Sequence, residues 1–214
     1  MEAHAELIAR ARLICGTEHV LTNPRVLSTY RSDGIRRDGA LPLAAILPSS
    51  TSEVSGVVAA CRETGVRLRV RGAGTSRAGF ALPMADEVLV VLTRMRAILS
   101  DSGDELTVQS GVPVAALPRD RRWLRAVEPV MPVAERQAAP TLNRALTAAA
   151  GTVGGHIAEH GASADIAAMD LVRPNGEIVR IDRRHPGYDF TGAFPGSRGA
   201  AGIAATITLR SMCW

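Results

Sequence analysis

The chain has 214 residues and a mass of 22.6 kDa, with 46% hydrophobic and 21% charged residues, a composition typical of a soluble globular protein rather than a disordered one. Its formal net charge of +4 rests on arginine alone, since the sequence contains no lysine, and the arginines alternate with acidic residues. Aromatic residues make up only 3%, which argues against nucleic-acid binding by base stacking, and a solvated surface explains the densest cationic run, residues 119–125.

Two helices are predicted at the N-terminus. Apolar residues recur at helical spacing over residues 3–14, and Gly16 provides a stop. Pro24 then stands at a position that favours the first turn of a second, short helix running to Tyr30. We expect these helices to form a separate N-terminal segment over residues 1–40.

The next stretch has the pattern of a strand–helix–strand unit. An apolar strand over residues 43–47 is followed by hydroxyl side chains at 49–52, which are typical helix caps. A helix over residues 54–64 ends at Gly65, and residues 66–70 alternate with a period of two. We therefore expect the two strands to form a parallel pair joined by a crossover helix.

The remainder of the sequence indicates a more antiparallel half. An Asn175-Gly176 pair between two apolar runs predicts a β-hairpin. The predicted strands cover residues 88–92, 106–112, 169–173, 177–181 and 203–209, and the predicted helices cover 114–117 and 141–150. The predicted fold class is therefore α+β, a β-α-β subdomain followed by a mainly antiparallel β subdomain with helices.

A glycine-rich loop, R-G-A-G-T-S-R-A-G at residues 71–79, follows the second strand of the unit. A helix-capped dinucleotide fingerprint is excluded because Gly79 and Pro83 interrupt the region where its helix would begin, and no Gly-Lys-Ser/Thr of a P-loop occurs. Backbone N–H groups in such a turn can still form a concave nest for a phosphate, with Thr75 and Ser76 adding hydroxyl donors. A plain connection between strands is the alternative, and the loop alone does not decide between them.

The glycine-rich loop and several other stretches of the sequence resemble one protein family. The loop at 71–79 resembles the R-G-x-G-T-S-x-x-G segment of FAD-linked oxidases of the vanillyl-alcohol oxidase and p-cresol methylhydroxylase type, and particularly the glycolate oxidase and D-lactate dehydrogenase flavoproteins. Other stretches resemble that family in the same order, namely P-S-S-T-S-E-V at 48–54, L-T-R-M-R-A-I-L at 92–99, G-T-V-G-G at 151–155, G-Y-D at 187–189 and G-S-R-G-A-A-G-I at 196–203.

The resemblance implies a two-subdomain FAD-binding fold over residues 41–210, with subdomains at about 41–100 and 101–210, and FAD between them. It implies that the first loop holds the pyrophosphate, while 151–155 and 196–203 line and close over the cofactor. The implied cofactor-binding residues are Arg71, Gly72, Ala73, Gly74, Thr75, Ser76, Gly79, Thr152, Val153, Gly154, Gly155, His156, Gly196, Gly199, Gly202 and Ile203. Some relatives attach flavin covalently to a histidine where this chain has Thr75, so non-covalent FAD is expected.

Two positions depart from the family pattern: His156 replaces the usual asparagine and Arg198 the usual glutamate. His156 and His160 have a spacing that suits metal ligands, but no third ligand is evident, so we expect no metal site. Glu128 and Glu135 are expected in a solvated loop, and no catalytic residue is assigned.

Cys15 and Cys61 fall on apolar helical patterns and are expected to be buried thiols, while an odd total of three, including Cys213, argues against a disulfide framework. The N-terminus lacks the features of a signal peptide, and no apolar stretch approaches the length of a transmembrane helix. A cytoplasmic protein is expected, with membrane association only through a partner.

The function implied is that of the FAD-binding part of an oxidoreductase acting on a 2-hydroxy acid such as glycolate or D-lactate. The family's C-terminal cap domain is not recognisable, so the chain is expected either to act with a separate substrate-binding or electron-transfer subunit or to be a truncated product. A degenerate flavin-binding or interaction module without turnover is the alternative, and a nucleic-acid binder has only the high pI of about 9.6 in its favour.

Overall fold

A computed structural model describes residues 2–33, 38–75, 79, 81–118, 151–160, 166–186, 189–194 and 200–211. Its helices are α1 (Glu2–Cys15), α2 (Pro24–Leu27), α3 (Thr51–Thr64) and α4 (Val153–His160). Its strands are β1 (Val20–Leu21), β2 (Ala44–Ile46), β3 (Arg67–Arg71), β4 (Glu87–Val91), β5 (Ile98–Asp101), β6 (Glu105–Gln109), β7 (Ile166–Val172), β8 (Ile178–Asp182) and β9 (Ile203–Arg210).

The helix α3 has the predicted caps at both ends. The Ser50 hydroxyl accepts a hydrogen bond from the Glu53 N–H at 3.2 Å, and the chain leaves the helix through Gly65 in the left-handed conformation, with φ of 70°. Because Ser50 is the cap, the helix begins at Thr51, three residues before the predicted start. The helices predicted over 3–14 and from Pro24 are also present.

The first sheet has the strand order β1-β2-β4-β3. The expectation that β2 and β3 pair with each other was wrong, because both pair in parallel with β4, which lies between them. All five residues of β4 are buried, as a central strand covered on both faces requires. The crossover through α3 therefore skips one strand position.

The second sheet has the order β5-β6-β9-β7-β8, and every neighbouring pair is antiparallel, as predicted for this half. The last strand, β9, lies in its centre and is buried along its length except for Arg210. The predicted hairpin is also present, with Gly176 at φ of 87° in the turn between β7 and β8. The sequence analysis missed β5, all four residues of which are exposed at a sheet edge.

The two sheets share a core around α3. Val172, Ile203 and Ala205 of the second sheet are buried in the same cluster as α1, α3 and the first sheet. The hydroxyl of Ser55 on α3 donates to the Gly176 carbonyl at 2.6 Å, which ties the helix to the β7–β8 turn. The carboxyl ends of the parallel strands are thereby held beside the second sheet.

The two helical cysteines, Cys15 and Cys61, are buried as predicted. Burial is the main cause that raises the pKa of each thiol to about 12, which keeps both protonated and unreactive at neutral pH.

Within the described ranges, no helix is long and apolar enough to cross a membrane. The helix predicted at 141–150, the run at 119–125, Glu128, Glu135, Arg198 and Cys213 lie outside the described residues.

Candidate functional site

The glycine-rich loop begins where β3 ends, at the edge of the first sheet that holds the carboxyl ends of its three parallel strands. In open sheets of parallel strands, ligands bind at this edge. The edge is braced by Arg94, whose guanidinium donates to the Leu47 carbonyl beyond β2 at 2.6 Å. The position of the loop thus favours ligand binding over a plain connection between strands.

The first two glycine clusters, which are separated by about 80 residues in the sequence, meet at this edge. A Cβ atom added to Gly72 would overlap the hydroxyl oxygen of Thr152 and lie 3.4 Å from its Cβ. The isolated bridge between Pro113 and Thr152 fixes the second cluster against the end of β6. The lack of a side chain at Gly72 is therefore what allows the two segments to come together.

The second cluster forms the beginning of α4. The Thr152 hydroxyl accepts from the Gly155 N–H at 3.3 Å, so Thr152 caps the helix. The N–H groups of Val153 and Gly154 donate to the carbonyls of Val112 and Ser110 at 2.8 and 2.9 Å. The group of this turn that lies against Gly72 is accordingly the Thr152 hydroxyl, and Gly155 is exposed next to that hydroxyl.

The glycine-rich loop after β3 is not followed by a helix of its own, but the N-terminus of α4 lies next to it. A helix N-terminus carries partial positive charge, and glycine permits close approach of a ligand to the backbone. Both features suit the diphosphate of a dinucleotide, so the residues present fit FAD. The sequence analysis did not predict α4, although Thr152 before an apolar residue was a cap signal.

The side chain of Arg71 points away from the surface of this edge. It is 8% exposed and donates to the carbonyls of Tyr30, Ser32 and Ala81 at 3.0, 2.9 and 3.2 Å. Burial lowers the pKa of Arg71, and the charges of Tyr30 and Asp33 act in the opposite direction. Any contact of Arg71 with a ligand would therefore be made by its backbone.

Several other predicted site residues have their side chains or Cα atoms in packed surroundings. Val153 and Ile203 belong to the two cores. A Cβ atom added to Gly154 would lie 2.6 Å from the Ser110 side chain. A Cβ atom added to Gly202, where φ is 126°, would overlap the Val172 carbonyl. The structure therefore places these four positions in packed surroundings rather than on an open surface.

The remaining predicted site residues differ in their exposure, and three of them lie outside the described residues. Ala73 is exposed, Thr75 and His156 are half-buried, and Gly74 is buried with φ of 75°. Gly79 has φ of 83° and its carbonyl accepts from the Leu82 N–H at 3.1 Å. Ser76, Gly196 and Gly199 lie outside the described residues.

Sequence reasoning missed the Ser110-Gly111 turn that supports α4. Ser110 accepts from Gly154, its N–H donates to the Ala205 carbonyl at 3.0 Å, and its hydroxyl donates to Ala204. A Cβ atom at Gly111 would be 2.7 Å from the Met95 carbonyl. A Ser-Gly pair directly after an alternating strand was the available signal for such a turn.

Alanine substitutions at Gly154 and Gly155 should separate packing from binding. Gly154→Ala collides with Ser110 and should lower the free energy of unfolding by about 1–3 kcal/mol. Gly155→Ala gains helix propensity of up to about 1 kcal/mol against a tight 3.1 Å contact with the Thr152 hydroxyl, so its stability should fall less than that of Gly154→Ala, whereas its FAD affinity should fall. Urea unfolding and flavin fluorescence titration measure the two effects, and equal FAD affinity for Gly155→Ala and wild type would contradict the assignment.

The chain is similar to several known flavoproteins and oxidoreductases. The chain is 28% identical to glycolate oxidase subunit GlcD of Escherichia coli K12, over 95% of this chain and 41% of that protein. It is 31% identical to D-lactate dehydrogenase of Anaerostipes hadrus, over 90% of this chain and 41% of that protein. A crystal structure of p-cresol methylhydroxylase with substrate bound superposes with a TM-score of 0.73 at 18% identity, covering 99% of this chain and 44% of that one.

The mixed α+β fold with two sheets matches the fold of p-cresol methylhydroxylase, as predicted. Residues 42–182 match the FAD binding domain family, which is more than half of the sequence. The chain therefore belongs to the FAD binding domain family, and the predicted resemblance is confirmed. It spans about 41% of the length of the two relatives named above.

Proposed function

We propose that this chain is the FAD-binding part of a flavoprotein that oxidises a 2-hydroxy acid of the glycolate or D-lactate type. The observation that supports the proposal is the contact between Gly72 and Thr152, which brings two glycine clusters together where we propose that the diphosphate binds. The substrate class rests on the relatives, which are named a glycolate oxidase subunit and a D-lactate dehydrogenase.

The chain's own residues would bind and orient the cofactor. The backbone of Gly72 and Ala73 and the hydroxyl of Thr75 would bind one side of the diphosphate, and Thr152 with Gly155 would bind the other. FAD, when bound, supplies an acceptor for the two electrons removed from the hydroxyl-bearing carbon of the substrate. Thr75 has no nucleophilic ring nitrogen with which to attach the flavin, which supports non-covalent binding.

The substrate-binding groups would come from outside the matched region. Because the chain spans about 41% of its relatives, the remaining part of such a protein, in the same polypeptide or in a partner chain, would bind the carboxylate and shield the reaction from water. Electrons would then pass to an acceptor or to an electron-transfer subunit.

The proposal is tested by spectroscopy of the purified chain. We expect a yellow protein, or one that takes up added FAD, whose chromophore is released by acid precipitation and identified as FAD by chromatography. A protein that neither carries nor takes up FAD would overturn the proposal, and a chromophore that stays in the pellet would overturn non-covalent binding.

The substrate class is tested under anaerobic conditions with glycolate, D-lactate and D-2-hydroxyglutarate, first with the 214-residue chain and then with any longer polypeptide or partner chain that contains it. Loss of the flavin absorbance near 450 nm, measured with L-lactate as the stereochemical control, would support oxidation of a D-2-hydroxy acid. Flavin that binds but is not bleached in any of these preparations would favour a binding module without turnover.

A further inference from the structure

We propose that Arg71 is a positioning residue that holds the Gly72–Gly74 backbone in its ligand-binding conformation by linking it to the N-terminal segment at Tyr30–Asp33. This inference rests on the proposed assignment of the loop to the diphosphate of FAD. It differs from direct recognition, in which a surface arginine would contact the phosphate itself.

The guanidinium of Arg71 joins three separate parts of the chain. Its donors reach the carbonyls of Tyr30 and Ser32 in the connection between β1 and β2 and of Ala81 beyond the glycine-rich loop. Its Cζ lies 5.7 Å from the centroid of the Tyr30 ring, a distance suited to a cation–π contact, and the nearby Asp33 is 6% exposed. A planar fork with five donors is the side chain best able to satisfy carbonyls in several directions.

The loop rests directly on this guanidinium. A Cβ atom at Gly74 would lie 2.7 Å from Nε of Arg71, so the loop backbone turns over the side chain of the residue that begins it. Gly74 has φ of 75°, a conformation that few other residues adopt. Arg71 thus fixes both ends of the turn, at its own Cα and underneath Gly74.

A loop fixed in advance binds its ligand without a further ordering cost. Fixing the backbone of one residue costs about as much as a 10-fold change in affinity. We therefore expect Arg71→Met to weaken FAD binding about 10- to 100-fold and to slow association, because the loop would have to order during binding.

Arg69 provides a matched control on the same strand. It is two residues earlier, and its guanidinium makes two hydrogen bonds, at 2.7 and 3.0 Å, to Glu87 at the amino end of β4, the end opposite to the glycine-rich loop. Arg69→Met should lower thermal stability but leave the FAD dissociation constant of the folded protein within about 2-fold of wild type.

The experiment compares wild type, Arg71→Met, Arg71→Lys and Arg69→Met as full 214-residue chains, at a temperature at which each is folded by circular dichroism. Stopped-flow flavin fluorescence gives the association rate and the dissociation constant, and ³¹P NMR reports the environment of the bound diphosphate. We expect changed ³¹P shifts and slower association in both Arg71 variants, smaller in Arg71→Lys, and unchanged values in Arg69→Met.

Arg71→Lys retains the charge and most of the volume, so it provides the test if Arg71→Met does not fold. Wild-type affinity and ³¹P shifts in the folded Arg71 variants would overturn the inference while leaving the FAD site intact. Equal losses in Arg69→Met would also overturn it, because the effect would then be one of general stability. A wild-type chain that binds no FAD would instead mean that the proposed function is wrong.

Discussion

Gly72→Ala should weaken FAD binding about 10- to 100-fold. The new Cβ atom would overlap the Thr152 hydroxyl, and overpacking of this kind typically costs about 1–3 kcal/mol. Relief of the overlap requires either that the Thr152 hydroxyl leave its capping position or that the β3 loop and the start of α4 move apart, and both changes disturb the proposed diphosphate site. Flavin fluorescence titration measures the loss.

A double-mutant cycle tests whether this contact is the cause. Thr152→Ala removes the overlapping oxygen and should itself lower stability by about 0.5–2 kcal/mol, because it removes the cap of α4. In that background the added cost of Gly72→Ala should largely disappear, since the next atom of Thr152 lies at 3.4 Å. Simple additivity of the two affinity losses would show that the clusters do not act on each other.

Local patterns predicted three strands of the first sheet, β2, β3 and β4, but neither β1 nor the strand order. Helix α3 was evident because its capping residues and its terminal Gly65 are adjacent to it in the sequence. The order was not evident because a buried apolar strand such as β4 has the same pattern whether it lies at the centre of a sheet or one position away. Only the pairing of β4 with both β2 and β3 decides this, and that pairing is non-local.

The same limit applies to the candidate site. The glycine clusters were recognisable individually, but the contact of Gly72 with Thr152 joins positions that no local pattern relates. Arg69 and Arg71 occupy equivalent positions of one alternating strand, yet one pairs with a carboxylate and the other with backbone carbonyls. Their different roles follow from the segments packed against them and could not be read from the strand itself.

Glu87→Gln should lower the free energy of unfolding by about 3 kcal/mol. Glu87 is 5% exposed at the start of the central strand β4 and accepts two hydrogen bonds from Arg69 and one from the Met84 N–H. Removing one member of a buried ion pair leaves the other charge without compensation, at a typical cost of about 3–5 kcal/mol. We expect the lower end because a quarter of the Arg69 side chain, 26%, remains exposed.

The effect should depend on pH in a defined direction. Burial acts to raise the pKa of Glu87, but the hydrogen bonds from Arg69 and Met84 and the charges of Arg69 and Arg67 outweigh it, so its pKa in the folded protein lies below the ordinary value. The carboxylate therefore stabilises the fold above the unfolded-state pKa, and this contribution is lost as pH falls through the lowered folded-state pKa. The difference between wild type and Glu87→Gln in urea unfolding should be full at pH 7 and shrink in acid.

The exposed pair Arg10–Glu63 serves as the control for Glu87. Its side chains are 38% and 57% exposed, so Glu63→Gln should cost less than about 1 kcal/mol, because water already solvates both charges. If Glu87→Gln cost no more than Glu63→Gln, the Arg69–Glu87 pair would contribute no more than a surface contact. The prediction that the buried carboxylate of Glu87 stabilises the fold more than a surface carboxylate does would then be wrong.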